Sequence, residues 1–243
     1  MSHHPGSSDW RAWVAEAVGT ALLVLAIVVG AALSLAEGSA LSESLPGPGA
    51  RFLALGVLVA PIVAALAVSP VGRASGAHLN PAVTLAFWVL GRVGGWKLAG
   101  YVAAQLAGAL AGAAAGEAVL PSGTWRSIGG TVTHPGVSTG AAFALEAGMT
   151  ALLLVVILAF SSRERIARLT PIAVVPVLTA IIWLGSPWTG ASINPARSEG
   201  PAVAFGDLSD LWLYLVAPSA AGVLVGLGWR FLRVLARAPQ ACP

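Results

Sequence analysis

The sequence predicts an all-α membrane protein: six transmembrane helices and two re-entrant half-helices, arranged as an inverted repeat. Three observations carry this. Of the 243 residues, 57% are hydrophobic and 9% charged, against about a quarter charged in a soluble domain, and the mean hydropathy is +0.83. Apolar surface on that scale is hidden in lipid. Six segments are also long and apolar enough to cross a bilayer, which takes about 20 helical residues. Finally, Ser75-Gly76-Ala77-His78-Leu79-Asn80-Pro81-Ala82-Val83 stands in register with Thr189-Gly190-Ala191-Ser192-Ile193-Asn194-Pro195-Ala196-Arg197.

The first span lies near 12–35, after a short polar stretch from Met1 to Asp9 and Arg11. Removing it as a leader would destroy the repeat, so it is read as retained. A Ser/Gly/Pro linker from Ser34 to Ala50 leads to the second span, near 51–70. The next apolar piece, about 80–90, is too short to cross. It begins at Asn80-Pro81-Ala82, where Asn caps and Pro fits the first helical position. Non-helical backbone leading into such a half-helix is tolerated at membrane depth only where protein buries it or water lines it. The third span, 98–120, closes the first half.

A connecting loop, 121–139, leads to the second half, which repeats the order. Its spans lie near 141–161, 170–187 and 210–234, with a half-helix at 194–205 that begins at Asn194-Pro195-Ala196. The chain 1–243 is thus read as one transmembrane domain with repeats at about 10–120 and 140–236. Glu16 and Glu146 stand in the first span of each half, just before Gly19-Thr20 and Gly148-Met149-Thr150. Three crossings per half is an odd number, so the second half is inverted. The half-helices then enter from opposite faces and meet near the midplane. Gly108 with Gly112, and Gly222 with Gly226, form small-residue packing faces.

The positive-inside rule orients the chain. Arg11, Arg73, Arg92, Lys97, Arg163, Arg165, Arg168, Arg230, Arg233 and Arg237 fall on one side; Arg51, Arg126 and Arg197 do not. Both termini are therefore expected in the cytoplasm of a multi-pass cell-membrane protein.

In each half-helix the Asn oxygen caps its own helix and leaves the amide N–H₂ to donate to a passing oxygen. The positive ends of two helix dipoles, roughly half a charge each, converge at the same place. Such a site repels cations, and it orients a water chain so that protons do not hop through it. Glu16 and Glu146 are expected to accept from backbone N–H groups of the re-entrant loops. Arg197, a cation on a short intramembrane helix, is a functional candidate by default. His78 lines the inner half through its backbone carbonyl or acts as a pH-sensitive group.

With Glu16-x-x-Gly19-Thr20, Gln105-Leu106-Ala107-Gly108-Ala109 and Asn194-Pro195-Ala196-Arg197-Ser198 followed by Gly200-Pro201-Ala202-Val203, nearly the whole chain resembles the aquaporin, or major intrinsic protein, family. The resemblance implies a passive channel for water and small uncharged solutes, in a homotetramer whose subunits each hold a pore. It implies pore motifs at Asn80, Pro81, Ala82, Asn194, Pro195 and Ala196. It also implies a narrower filter around Arg197, with the other positions at Ala60, Ile182 and Ala191 by the family's spacing. Strict water channels carry an aromatic residue and a histidine where Ala60 and Ile182 stand, so a wider, more apolar filter is expected. Ile182, Ala191, Arg197, Tyr214 and Leu215 are similar to the nodulin-like branch and its bacterial relatives, whose solutes include glycerol and metalloid hydroxides. Glu199 stands where the family commonly has an apolar residue, and is expected at the outer mouth, modulating Arg197.

Other classes fare less well. An ion-coupled secondary transporter also uses inverted repeats and broken helices, but the chain offers no acidic cluster at midplane depth. A closed, junction-type member of the family would keep the fold without flux. No nucleophile–base pair and no metal-ligand spacing points to an enzyme or a metal site, no cofactor is implied, and no basic-aromatic face suits nucleic acid. The single cysteine, Cys242, is at the tail, so mercurial reagents are not expected to block the pore directly.

Overall fold

The structure is a computed structural model that describes residues 9–120 and 129–236. His3, His4, Arg126, Arg237 and Cys242 lie outside the described residues. Within them the chain runs α1 Asp9–Leu35, α2 Ala40–Ser44, α3 Pro48–Val68, α4 Pro70–Ser75, α5 Pro81–Val89, α6 Gly95–Val119, α7 Thr139–Ser161, α8 Thr170–Thr189, α9 Pro195–Phe205 and α10 Leu211–Leu235. A 3₁₀ turn, Ala167–Leu169, leads into α8. The long helices α1, α3, α6, α7, α8 and α10 have the length and apolar character of membrane spans. Even α8, with 20 residues, is about 30 Å long, the thickness of a hydrocarbon core.

Two short helices were not expected. α2 forms in the linker after α1. α4 forms because Pro70 cannot continue α3, while Ser69 caps the new turn by accepting from the Gly72 N–H at 3.2 Å. The second span therefore ends at Val68, and an extra helical turn intervenes before the first Asn-Pro-Ala.

The halves match element for element: α1 with α7, α3 with α8, α5 with α9, α6 with α10. In the first half α1 packs on α3 and α6; in the second, α7 packs on α8 and α10; α3 against α8 joins the two. The half-helices are exchanged, since α5 packs most heavily on α10 and α9 on α6. Glycine permits this closeness. A Cβ at Gly108 or Gly112 would overlap the Ala17 or Ala21 carbonyl of α1, and one at Gly222 would lie 2.5 Å from the Ala82 carbonyl oxygen. Exposed tryptophans mark the two ends of the bundle: Trp10, Trp88 and Trp96 at one, Trp188 and Trp212 at the other. This is the belt expected at membrane–water interfaces.

Candidate functional site: a pore between two re-entrant loops

Each re-entrant loop is built on the same unusual backbone. Gly76, Ala77 and Leu79 have φ of 93, 52 and 50°, and Gly190, Ala191 and Ile193 have 75, 47 and 49°. Among the described residues, these four non-glycine positions are the only ones in the left-handed region, where an L-residue costs roughly 1–2 kcal/mol. The alternation turns successive N–H groups to one side, where a fully buried glutamate collects them. Glu16 accepts from His78 N at 2.9 Å, Leu79 N at 2.6 Å and Gln105 Nε2 at 2.7 Å. Glu146 accepts from Ser192 N at 2.9 Å, Ile193 N at 2.8 Å and Thr189 Oγ1 at 2.6 Å. The carbonyls of the same peptides face the other way, where both loops line a cavity.

The chain's two tyrosines complete the symmetry. Tyr101 donates to the Ser75 carbonyl at 2.6 Å, and Tyr214 to the Thr189 carbonyl at 2.9 Å. Both tyrosines stand one span beyond their motif, a matched offset that sequence reading missed although it was there to be found.

At the meeting point each asparagine serves both halves. Asn80 Oδ1 accepts from Ala82 N at 2.8 Å, and Asn194 Oδ1 from Ala196 N and Arg197 N at 3.1 and 3.3 Å. Asn80 Nδ2 donates to the Ile193 carbonyl and Asn194 Nδ2 to the Leu79 carbonyl, each at 2.8 Å. The amides are therefore not wholly free. One N–H of each ties the loops together, and one remains for a solute. Pro81, Ala82, Pro195 and Ala196 are buried behind them.

A cavity of about 350 Å³ runs past both asparagines. One end is lined by Ser186, Ala191 and Arg197, the other by Ser161, Ala167 and Thr170; aliphatic side chains of α1, α3, α7 and α8 form the wall opposite the loops. Arg197 lines it at 7% exposure, and its Nη1 donates to the Gly129 carbonyl at 3.3 Å. Ile182 and Ala191 line the same end. Ala60 does not: it is fully buried and off the cavity, and α3 contributes Leu55, Val59 and Val63 instead. The family's spacing counted back from Asn80 therefore does not land on the face of α3 that lines the cavity. α3 and α8 are antiparallel, with Thr179 Oγ1 donating to the Gly56 carbonyl at 3.3 Å, so Leu55 is the lining residue nearest the level of Ile182.

Glu199 also departs from expectation. Two residues beyond Arg197 is about 200° around the helix, so it points away from the pore. Its Oε2 is buried without a hydrogen-bond partner among the described residues, and Arg197 is held by Gly129 instead. His78 lines the inner half beside Phe87, ring centroids 4.9 Å apart. Its Nδ1 lies 3.2 Å from Thr84 Oγ1. Thr84 spends its own proton on the Asn80 carbonyl at 3.0 Å, which leaves Nδ1 as the donor.

The sequence profile of the family described as Major intrinsic protein matches residues 4–229. The chain belongs to the major intrinsic protein family. Members of this family are membrane channels and not enzymes. The chain is 37% identical over 227 residues to the lens fiber major intrinsic protein of Lithobates pipiens, covering 93% of this chain and 82% of that one. It is 35% identical over 225 residues to Aquaporin NIP3-1 of Oryza sativa subsp. japonica, covering 92% and 68%. In fold it is similar to the aquaglyceroporin from Plasmodium falciparum, with a TM-score of 0.74 at 23% identity over 94% of this chain and 98% of that chain. Identities this close to an animal and a plant major intrinsic protein assign no branch.

Proposed function

We propose that this major intrinsic protein is a passive channel for water and small uncharged solutes such as glycerol, and that it excludes ions and protons. The observation that carries the reading is the reciprocal asparagine pair at the meeting of two half-helix N-termini, on a cavity that runs past both motifs. Two positive helix ends and the Arg197 guanidinium disfavour a cation there. A neutral hydroxyl compound instead finds two amide donors, a row of carbonyl acceptors and an aliphatic wall. The outer filter is assigned to Leu55, Ile182, Ala191 and Arg197. It has no aromatic residue, which favours solutes of glycerol size, metalloid hydroxides among them, over water alone.

The chain is read as one channel domain in the cell membrane, with repeats at about 10–120 and 140–236. Both termini are assigned to the cytoplasm, because Arg11, Arg73, Arg92, Lys97, Arg163, Arg165, Arg168, Arg230 and Arg233 gather at that end. A homotetramer is assigned from the family. Ion coupling has no support here: Glu16 and Glu146 lie behind the loops, off the cavity lining, and already accept from loop N–H groups. Stopped-flow swelling of proteoliposomes with water, glycerol, urea and boric acid, without any ion gradient, tests the assignment. Water and glycerol flux above empty liposomes is expected; flux only under an ion gradient would replace the channel with a transporter.

A further inference from the structure

We propose that Thr131, on the loop outside the membrane core, is a positioning residue that tunes solute selection at the outer end of the pore. Thr131 Oγ1 lies 2.8 Å from Ser198 Oγ; Ser198 Oγ is hydrogen-bonded to Ser192 Oγ; Ser192 Oγ lies 3.1 Å from the Asn194 carbonyl. Each hydroxyl owns a single proton, and that fixes the direction of the whole chain. The carbonyl only accepts, so Ser192 donates to it. Ser198 must then donate to Ser192, and Thr131 to Ser198. The chain runs one way, from the loop to the backbone of the motif asparagine, and the donor that heads it is the Thr131 hydroxyl.

The same stretch of loop reaches the filter twice more. The Gly129 carbonyl is the acceptor of Arg197 Nη1. Thr131 also packs over Gly190, where an added Cβ would lie 3.1 Å from its Cα. Gly190 opens the re-entrant loop at a φ of 75°, so the contact needs glycine's lack of a side chain. The first half handles its matching hydroxyl differently: Thr84 accepts from Gln105 Nε2 at 3.0 Å, within the membrane core. The outer half alone delegates this contact to a loop.

The inference rests on the channel reading above, and its test separates the two. Full-length wild type, Thr131→Val, Thr131→Ser, Ser198→Ala and the Thr131→Val/Ser198→Ala double variant are reconstituted in liposomes. Water and glycerol permeabilities are measured together with thermal unfolding in detergent. Glycerol has several hydroxyls to satisfy at once, so it suffers more than water from a displaced carbonyl and arginine. Thr131→Val is expected to lower the glycerol-to-water ratio roughly fivefold, as loss of one part-buried hydrogen bond implies, and Thr131→Ser to restore it. Ser198→Ala breaks the next link, so it gives the same shift and carries the test if the valine variant does not fold. The double variant should go no further than either single one. An unchanged ratio, a serine variant that behaves like valine, additive effects, or water and glycerol falling in parallel with the unfolding temperature would each overturn the role of Thr131. If wild type passes both solutes while the ratio stays fixed, this inference alone fails. If wild type passes neither, the channel reading fails and takes this one with it.

Discussion

Single residues hold the pore open through its walls rather than from inside it. Glu146 is the clearest case, with all three of its neighbours donating: two backbone N–H groups and the Thr189 hydroxyl. Glu146→Gln replaces one acceptor oxygen with an N–H₂ group, which meets a donor head-on. Losing charge-assisted bonds and orphaning a buried N–H costs about 2–3 kcal/mol. The expected result is an unfolding temperature in detergent lower by about 5 °C or more, together with reduced flux. An unchanged unfolding temperature would mean that the loop holds its left-handed residues without the carboxylate. Both glutamates were legible in the sequence because their positions repeat. The tyrosines that hold the loop entrances repeat as well, yet a lone Tyr in a span reads as ordinary packing until its hydroxyl partner is seen.

At the scale of elements, existence and order were legible while helix register was not. Composition and the doubled motif locate every long helix within a few residues, since a span of about 20 apolar residues has no rival in so uncharged a chain. Which side of α3 faces the cavity depends on how it packs against α1 and α8, and hydropathy does not register that in a helix apolar along its whole length. Glu199 failed for a different reason. Residues two apart on a helix do not face each other, and that rule already separates it from Arg197 on α9. The register of α3 leads to a comparison. Leu55→Phe with Ile182→His should narrow the outer end and lower glycerol permeability about tenfold while water flux persists, as steric exclusion of one extra group allows. Ala60→Phe forces a ring into a fully buried site and is expected to cost about 1–3 kcal/mol of stability, with no preference between the solutes. Selective loss of glycerol flux in the Ala60 variant would return that residue to the filter.

For the whole molecule, the exchange of half-helices is what makes two weak elements into one pore. Helices of 9 and 11 residues are too short to be stable alone. Each is anchored on the last span of the other half and tied to its counterpart by an asparagine amide. Neither half can therefore form its own wall without the other, and a single cavity runs past both motifs. That continuity predicts the same outcome for a plug placed at either end. The chain's single cysteine is Cys242, beyond the last span, so wild-type flux should be insensitive to mercurial reagents. Ala191→Cys at the outer end and Thr170→Cys at the inner end each put a thiol on the lining. Each should lose most of its water and glycerol flux on mercurial treatment and regain it with excess thiol. Ala60→Cys, buried off the cavity, should stay insensitive. Because both solutes share one path, an adduct that fills it at either end stops both; a fully labelled variant that kept water and glycerol flux at the wild-type rate would require a second route through the protein, and the one-pore architecture would not survive it.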